Sequence, residues 1–307
     1  MASSPTPTVL DYLKGYILPL PFFLGSLFYF ILTFLLSPTL PFHDFSSYKE
    51  RAFARLWTCF GPLCARDTPP PLFPLLAQSK GLILDVGPGT GEQIHRFTHP
   101  ENIVAIYGVE PGISMHEQLK QAAKRAGFEP DRKYRVLGCT ADLDALVPAL
   151  MKDGLLDLTD RQRGADAAAA SVPPTSNDLD LNDLELFDEI VCLRVLCGVP
   201  DQPATVADLY TLLKPGGRFL VCEHVLNKKN VLARAVQYIY MDLGWKQLMG
   251  GCELTRDTMG TLLKVAKEKD GGWERVDVEE VDGFGPLVHV VGVLVKKKDQ
   301  RGMKKSA

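Results

Sequence analysis

The chain has 307 residues, of which 46% are hydrophobic, and a formal net charge of −3. This length allows one or two domains with a substantial core. The charge provides no overall basic field, so the composition does not suggest a nucleic-acid partner. The seven cysteines include no C-x-x-C pair and no Cys/His metal spacing, which predicts reduced thiols facing the cytosol, with neither a zinc site nor a disulfide scaffold.

An uncharged segment lies near the N-terminus, from residue 15 to residue 42. A helix of about 20 apolar residues spans a bilayer, and residues 17–36 meet that length. Three basic residues follow within positions 49–55, whereas only Lys14 precedes, which predicts that the rest of the chain is cytosolic. We therefore expect residues 1–46 to form a membrane anchor in contact with lipid. A spanning helix, a monotopic hairpin broken at prolines and a buried helix remain open.

Residues 47–80 are predicted to form an amphipathic helix and a proline-rich linker. Phe53, Leu56, Trp57 and Phe60 recur at helical spacing, and charged residues occupy other positions of the wheel. The helix either lies in the lipid headgroup region or packs over the domain that follows.

A short apolar run, residues 82–86, is followed at once by Gly87, Gly89 and Gly91. Such a run before glycines predicts a strand and a turn, and glycine lets the backbone approach a ligand. The next six residues are predicted to begin a helix whose free N–H groups face that ligand. The dinucleotide fingerprint would need a glycine at Glu92. We therefore expect a nucleotide site that is not an NAD site.

The spacing D-x-G-x-G-x-G, which begins at Asp85, resembles motif I of class I methyltransferases that use S-adenosylmethionine. A second apolar run starts at Val104 and ends in Glu110, 25 positions after Asp85. A carboxylate at the tip of the second strand can accept hydrogen bonds from ribose hydroxyls. The resemblance implies that Asp85, the three glycines and Glu110 bind S-adenosylmethionine.

Asp142 follows the predicted third strand, residues 134–137. Its carboxylate either accepts a hydrogen bond from the adenine amine or caps the helix predicted from residue 143. Residues 153–185 are acidic and of low complexity, which predicts a mobile insertion.

Further strands are predicted in the C-terminal half. They start at residues 190, 219, 273 and 287, and the last two form an antiparallel hairpin. The fold class is therefore α/β, a doubly wound, mostly parallel seven-stranded sheet over residues 81–296, Rossmann-like, with an N-terminal membrane-anchor helix. Residues 297–307 form a basic tail.

Three blocks go beyond this general fold. They are R-V-L-C-G-V from Arg194, L-K-P-G-G with the later C-E-H-V, and G-W-K leading into G-C-E-L-T-R-D. Together they resemble the methyltransferase-like seven family, which are membrane-anchored thiol S-methyltransferases of the endoplasmic reticulum and lipid droplets. The resemblance runs from about residue 82 to residue 296 and implies a small lipophilic thiol as the methyl acceptor.

His224 lies just past the fifth strand and is the candidate catalytic base or substrate-orienting group. A structural histidine is the alternative. Cys197 and Trp245 are candidate walls of the acceptor pocket, and a small buried apolar residue and a core indole are the respective alternatives.

Two other functions remain open. An O- or N-methyltransferase acting on a small lipophilic metabolite would need a stronger base, because a hydroxyl must lose its proton. A non-catalytic membrane adaptor would have no physical need for Asp85, the glycines and Glu110 together.

Overall fold

The computed structural model describes residues 8–156 and 184–298. Most of the predicted acidic insertion (153–185) and of the basic tail (297–307) lies outside these residues.

Seven strands of the described chain form one sheet, in the order β3-β2-β1-β4-β5-β7-β6. The strands are β1 (Gly81–Val86), β2 (Ile103–Val109), β3 (Tyr134–Leu137), β4 (Phe187–Leu193), β5 (Leu213–His224), β6 (Arg275–Val281) and β7 (His289–Val295). Neighbouring strands pair in parallel, except that β7 is antiparallel to both β5 and β6. The predicted doubly wound, mostly parallel sheet is confirmed.

Within the described residues the α-helices, numbered in chain order, are α1 (Val9–Ile17), α2 (Pro19–Leu36), α3 (Leu40–His43), α4 (Phe45–Arg66), α5 (Leu72–Ala77), α6 (His116–Arg125), α7 (Leu143–Lys152), α8 (Gln202–Leu212), α9 (Val231–Asp242), α10 (Trp245–Leu248) and α11 (Thr258–Asp270). Two large apolar clusters form the core. One joins the sheet to α7, α8 and α11, and the other joins it to α5 and α6.

The prediction of a helix directly after the glycine turn is wrong. Only a single 3-10 turn forms there, Ile94–Arg96. Gly91, directly before the predicted helix, has a φ of +85°, which lies outside the right-handed helical region. A second 3-10 turn, Pro100–Asn102, then leads directly into β2.

The L-K-P-G-G segment also differs from the prediction, which started the fifth strand at residue 219, after this segment. β5 already begins at Leu213, and its pairing with β4 shifts register, since Phe187 lies opposite Leu213 and Glu189 lies opposite Arg218. Lys214 to Gly217 therefore form an irregularity inside the strand rather than the turn before it.

α4 packs over the sheet domain, which favours that alternative for the amphipathic helix. Its Leu56 is buried in one cluster with Trp245, Met249 and Leu254. The apolar segment before it forms α1 and α2. By length and composition, Val9–Leu36 is apolar enough to cross a membrane, and only 17% of its most apolar stretch is buried.

α2 is nevertheless attached to the rest of the chain along one narrow side. Its buried residues are Pro19, Ser26 and Thr33. The Ser26 hydroxyl donates to the carbonyl of Leu248 at 2.5 Å, and the guanidinium of Arg55 in α4 donates to Thr33 Oγ1 at 3.2 Å. The other sides of α2 are apolar and exposed.

Candidate functional site

A cavity of about 1420 Å³ lies at the carboxyl ends of the parallel strands, which is where ligands bind in open α/β sheets. The sheet contributes the segments that follow β1, β2, β4 and β5, and residues of α1, α2 and α4 form the opposite wall. The site is therefore enclosed between the sheet and the N-terminal helices.

Glu110 and the glycine turn form one hydrogen-bonded unit at this edge. Glu110 is only 5% exposed. Its Oε2 accepts from the N–H of Gly89 at 2.9 Å, and its Oε1 accepts from the N–H of Gly112 at 2.8 Å. Burial raises the pKa of this carboxyl, and the two N–H donors counteract that rise.

Gly87 and Gly89 line the cavity and allow close contacts that a side chain would prevent. Their φ angles are +62° and +60°. A Cβ on Gly87 would lie 2.5 Å from Val195 Cγ2, and one on Gly89 would lie 2.5 Å from Trp57 Nε1. Gly91 differs: it is not among the described residues that line this cavity, and a Cβ there would meet Ala122 of α6 at 2.8 Å.

Asp85 lies behind the glycine turn rather than in the large cavity. It is buried, and its Oδ2 accepts a hydrogen bond from the hydroxyl of Tyr134 at 2.9 Å. Burial raises the pKa of Asp85 to about 7, the Tyr134 hydroxyl opposes the rise, and the charge of Glu110 adds to it. Its side chain thus links β1 to β3 across β2.

Asp142 caps α7 and also lines the cavity. Its Oδ1 accepts from the N–H of Ala145 at 3.1 Å, and its Oδ2 accepts from the hydroxyl of Thr140. The capping alternative is therefore confirmed. Contact with adenine stays a prediction, which the position of Asp142 allows.

His224, Cys197 and Trp245 all line this cavity. Cys252, which sequence reasoning did not single out, joins them. Its Sγ lies 3.8 Å from Nδ1 of His224. Hydrogen bonding with Cys197 and the proximity of His224 hold the pKa of the Cys252 thiol well below its ordinary value, against the effect of burial, whereas the pKa of Cys197 is raised well above it.

Arg194 and His289 form a second layer next to His224. The ring of His289 lies 4.4 Å from that of His224 and accepts a hydrogen bond at Nε2 from Arg194 Nε, at 3.2 Å. Burial, with the charges of His224 and Arg194, holds the pKa of His289 well below its usual value. Arg194 has a φ of +59° and donates to the carbonyl of Cys64 at 3.1 Å, which ties α4 to this part of the site.

Glu223 does not line the cavity but holds one of the loops that do, and sequence reasoning missed it. It is fully buried and accepts three backbone N–H groups, from Val195 at 2.9 Å, Leu196 at 3.0 Å and Cys197 at 3.2 Å. Burial raises its pKa to about 7, although these donors oppose the rise. The available signal was an acid inside the apolar run that ends β5.

The residues on this edge fit a nucleoside cofactor. Glu110 uses two of the roughly four acceptor sites of a carboxylate on Gly89 and Gly112, which leaves the others for ribose hydroxyls. Gly87 and Gly89 offer a surface free of side chains beside it. A sheet of this order with this acid and glycine turn defines a class I methyltransferase fold.

Comparison with known proteins agrees. A family model described as "Methyltransferase domain" matches residues 62–264, more than half of the chain. The chain belongs to this methyltransferase family, and its methyl donor is S-adenosylmethionine.

Curated relatives extend the similarity. The human thiol S-methyltransferase TMT1A is 33% identical over 27% of this chain and 33% of its own length. The rat thiol S-methyltransferase TMT1B is 35% identical over 36% of this chain and 44% of its own length. The chain thus matches less than half the length of these relatives. The expected resemblance to the thiol S-methyltransferase family is confirmed over these matched segments.

Among solved structures, an O-methyltransferase family protein from Burkholderia thailandensis is similar. It is 13% identical, the match covers 84% of this chain and 62% of that chain, and the TM-score is 0.47.

Proposed function

We propose that this protein transfers a methyl group from S-adenosylmethionine to the sulfur of small lipophilic thiols at a membrane surface. The observation that carries the proposal is the composition of the acceptor end of the cavity, where an imidazole, two thiols and an indole converge: His224, Cys197, Cys252 and Trp245. The two curated relatives are both thiol S-methyltransferases, which supports the same acceptor.

A thiol acceptor suits these groups chemically. An alkyl thiol has a reference pKa of about 8.5 and is partly ionised at neutral pH. The site then needs mainly to position the sulfur in line with the methyl group, and positioning supplies much of the acceleration. A phenol or an aliphatic hydroxyl would instead need a strong base next to it.

In this proposal the cavity divides between donor and acceptor. Gly87, Gly89, Glu110 and Asp142 hold the donor, with Asp85 and Gly91 shaping the turn behind them. His224 orients or deprotonates the acceptor, while Cys197 and Trp245 form its walls.

The N-terminal helices give the acceptor an apolar route to the site. Ile17, Leu18, Pro21 and Phe22 line the cavity, so the anchor is part of its wall. The outward sides of α2 and α9 carry large exposed apolar residues: Leu20, Leu24, Leu27, Phe28, Ile31, Val231, Leu232, Ile239 and Leu243. Two neighbouring elements thus present apolar surface suited to lipid.

We propose a monotopic arrangement, with the catalytic domain on the cytosolic face of the endoplasmic reticulum membrane or of lipid droplets. The hydrogen bond from Ser26, in the middle of α2, to Leu248 supports it. A helix that crosses a bilayer alone could not keep that contact.

The experiment uses membranes that carry the full chain, labelled S-adenosylmethionine, and a matched panel of alkyl thiols, phenols and amines of similar size. We expect label on the thiols. Transfer of label to phenols or amines, with none to the thiols, would contradict the proposal and favour the O- or N-methyltransferase alternative. Donor binding without transfer to any acceptor would favour the adaptor.

A further inference from the structure

Three side chains that are distant in sequence come together at the acceptor end of the cavity. Cys197 follows β4, His224 ends β5, and Cys252 lies between α10 and α11. One ligand atom from each lies within 4.8 Å of the other two, and the Cys252 Sγ to His224 Nδ1 distance is 3.8 Å. In sequence they are separated by 27 and 28 positions. Because of this distance they form no metal-binding motif in the cysteine spacing, and the sequence did not reveal the cluster.

These distances are close to those between the ligands of a single zinc ion. Zinc binds thiolate sulfur at about 2.3 Å and imidazole nitrogen at about 2.0–2.1 Å in tetrahedral geometry, which places neighbouring ligand atoms about 3.5–3.8 Å apart. Thiolate and imidazole ligands favour zinc over magnesium or calcium. Two thiolates would also neutralise the charge of the ion.

The backbone holds two of the three ligands independently of any metal. Cys197 donates its N–H to Glu223 at 3.2 Å and accepts at its carbonyl from the N–H of Glu253 at 2.9 Å. Next to Cys252, Gly251 has a φ of +88°, and a Cβ there would lie 2.6 Å from the carbonyl oxygen of Gly198. The two loops therefore approach each other as closely as backbones can, which brings the thiols together.

The cluster is open on one side. All three side chains line the large cavity, together with Trp245. Three protein ligands with an accessible fourth position are the arrangement of catalytic zinc sites, whereas structural sites have four protein ligands.

We propose that Cys197, His224 and Cys252 bind one zinc ion, whose fourth position faces the cavity and binds the acceptor sulfur as a thiolate. The identity of that acceptor rests on the function proposed above. His224 then orients the acceptor through the metal and does not take its proton.

The acceptor thiol loses its proton to solvent when its sulfur binds the zinc. An electron pair of that sulfur attacks the methyl carbon, so that a new S–CH₃ bond forms. The old bond to the sulfonium sulfur breaks, and its electron pair stays on S-adenosylhomocysteine. The thioether product carries no charge, binds zinc weakly and leaves.

The test uses the full chain, purified in detergent under reducing conditions. We expect about one zinc per chain by elemental analysis. After removal of the metal with a chelator, Co²⁺ should restore a site with the absorption of thiolate-to-cobalt charge transfer. Cys197→Ser and Cys252→Ser should weaken Co²⁺ binding on the order of 100-fold or more, since even a residue that only supports a ligand is worth 10–100-fold.

The exposed Cys59 and the partly buried Cys139 lie outside the cluster, so Cys59→Ser and Cys139→Ser are matched controls and should bind Co²⁺ as the wild type does. Binding of S-adenosylhomocysteine reports whether each variant is folded. A folded wild-type protein that contains no zinc and shows no charge-transfer band with Co²⁺ would overturn the proposal. A charge-transfer band that persists in the Cys197→Ser/Cys252→Ser double variant would also overturn it. So would the finding that Cys197 and Cys252 form a disulfide in the purified protein.

A second readout separates this proposal from the proposed function. Adding an alkyl thiol to the cobalt protein should change its absorption, and a phenol of similar size should not. Thiol methylation by metal-free protein would support the proposed function and contradict the role of the zinc in binding the acceptor. The cobalt absorption could instead stay unchanged on addition of thiol, in a protein that methylates phenols. That result would contradict the proposed function and the role of the metal in binding the acceptor, but not the assignment of the three metal ligands.

Discussion

The carboxylate of Glu223 at the end of β5 accepts the backbone N–H of Val195, just beyond β4, at 2.9 Å. The same carboxylate accepts from Leu196 and Cys197. One buried side chain therefore fixes the loop that presents Cys197 to the cavity, and this loop also touches Gly87 through Val195. A change at Glu223 should affect both the donor side and the acceptor side of the site.

We predict that Glu223→Gln lowers kcat/KM at least about tenfold and destabilises the fold by about 1–3 kcal/mol. Glutamine has one acceptor oxygen, and its NH₂ group would face a backbone N–H. The measurements are thermal unfolding and steady-state methyl transfer. Glu279→Gln, at an exposed position of β6, is the matched control. Equal kinetics for both variants would contradict the role given to Glu223.

The buried carboxyl of Asp85 should make the stability of the fold depend on pH. Burial raises its pKa from 3.8 to about 7, so the folded state keeps this proton while the unfolded chain has lost it. Stability should therefore fall as the pH rises from about 4 to about 7, by at most about 4 kcal/mol from this group, and level off above.

The variant that tests this is Asp85→Asn, whose amide oxygen still accepts from Tyr134. Relative to the wild type, the variant should be more stable at pH 8 than at pH 4, which means that its free energy of unfolding should be larger at pH 8. Asp277→Asn, exposed on β6, corrects for charge alone. A difference from wild type that is the same at both pH values would contradict the raised pKa.

Gly87 and Gly127 separate backbone strain from steric contact. Both have positive φ, +62° and +83°, but a Cβ on Gly87 would meet Val195 at 2.5 Å while nothing lies within 4 Å of one on Gly127. Each alanine variant should lose about 1–2 kcal/mol of stability from the left-handed backbone. Only Gly87→Ala should weaken S-adenosylhomocysteine binding, measured by calorimetry. An equal loss of affinity in Gly127→Ala would show that strain alone is responsible.

For the membrane-bound arrangement that we propose, the contact between Ser26 and Leu248 predicts on which side of the membrane the two ends of the chain lie. If α2 lies against the catalytic domain, tags fused to the two ends of the chain are on the same side of the membrane. In sealed microsomes, a protease should remove both tags without detergent, and a lumenal marker should stay protected. Protection of the N-terminal tag alone would establish a spanning helix instead.

The local parts of the site were predictable from the sequence. The run from Asp85 to Gly91 and the acid at Glu110 were identified because a strand, a glycine turn and a strand-end acid each have a short signature. Conformations set by neighbouring strands were not predictable. Gly91, directly before the expected helix, packs against Ala122 of α6, and β5 begins early because Leu213 lies opposite Phe187 of β4.

The other features of the site that the sequence did not predict depend on contacts between residues distant in sequence. Tyr134 reaches Asp85 only because β3 and β1 flank β2. Cys252 and Glu223 join the site because β5 and the loop before α11 meet the segment after β4. No pattern of composition or spacing places these side chains next to one another, so they required the tertiary fold.

Calorimetric titration of the purified protein with S-adenosylhomocysteine tests most directly whether Glu110 and the glycine turn hold S-adenosylmethionine. We expect saturable binding at one site per chain. Binding should be weakened on the order of 100-fold in Glu110→Ala, which removes hydrogen bonds to a charged group worth about 1.5–3 kcal/mol each, and unchanged in Glu117→Ala at an exposed position of α6. Absence of saturable binding to the folded wild-type protein, or equal affinity in Glu110→Ala, would contradict this expectation.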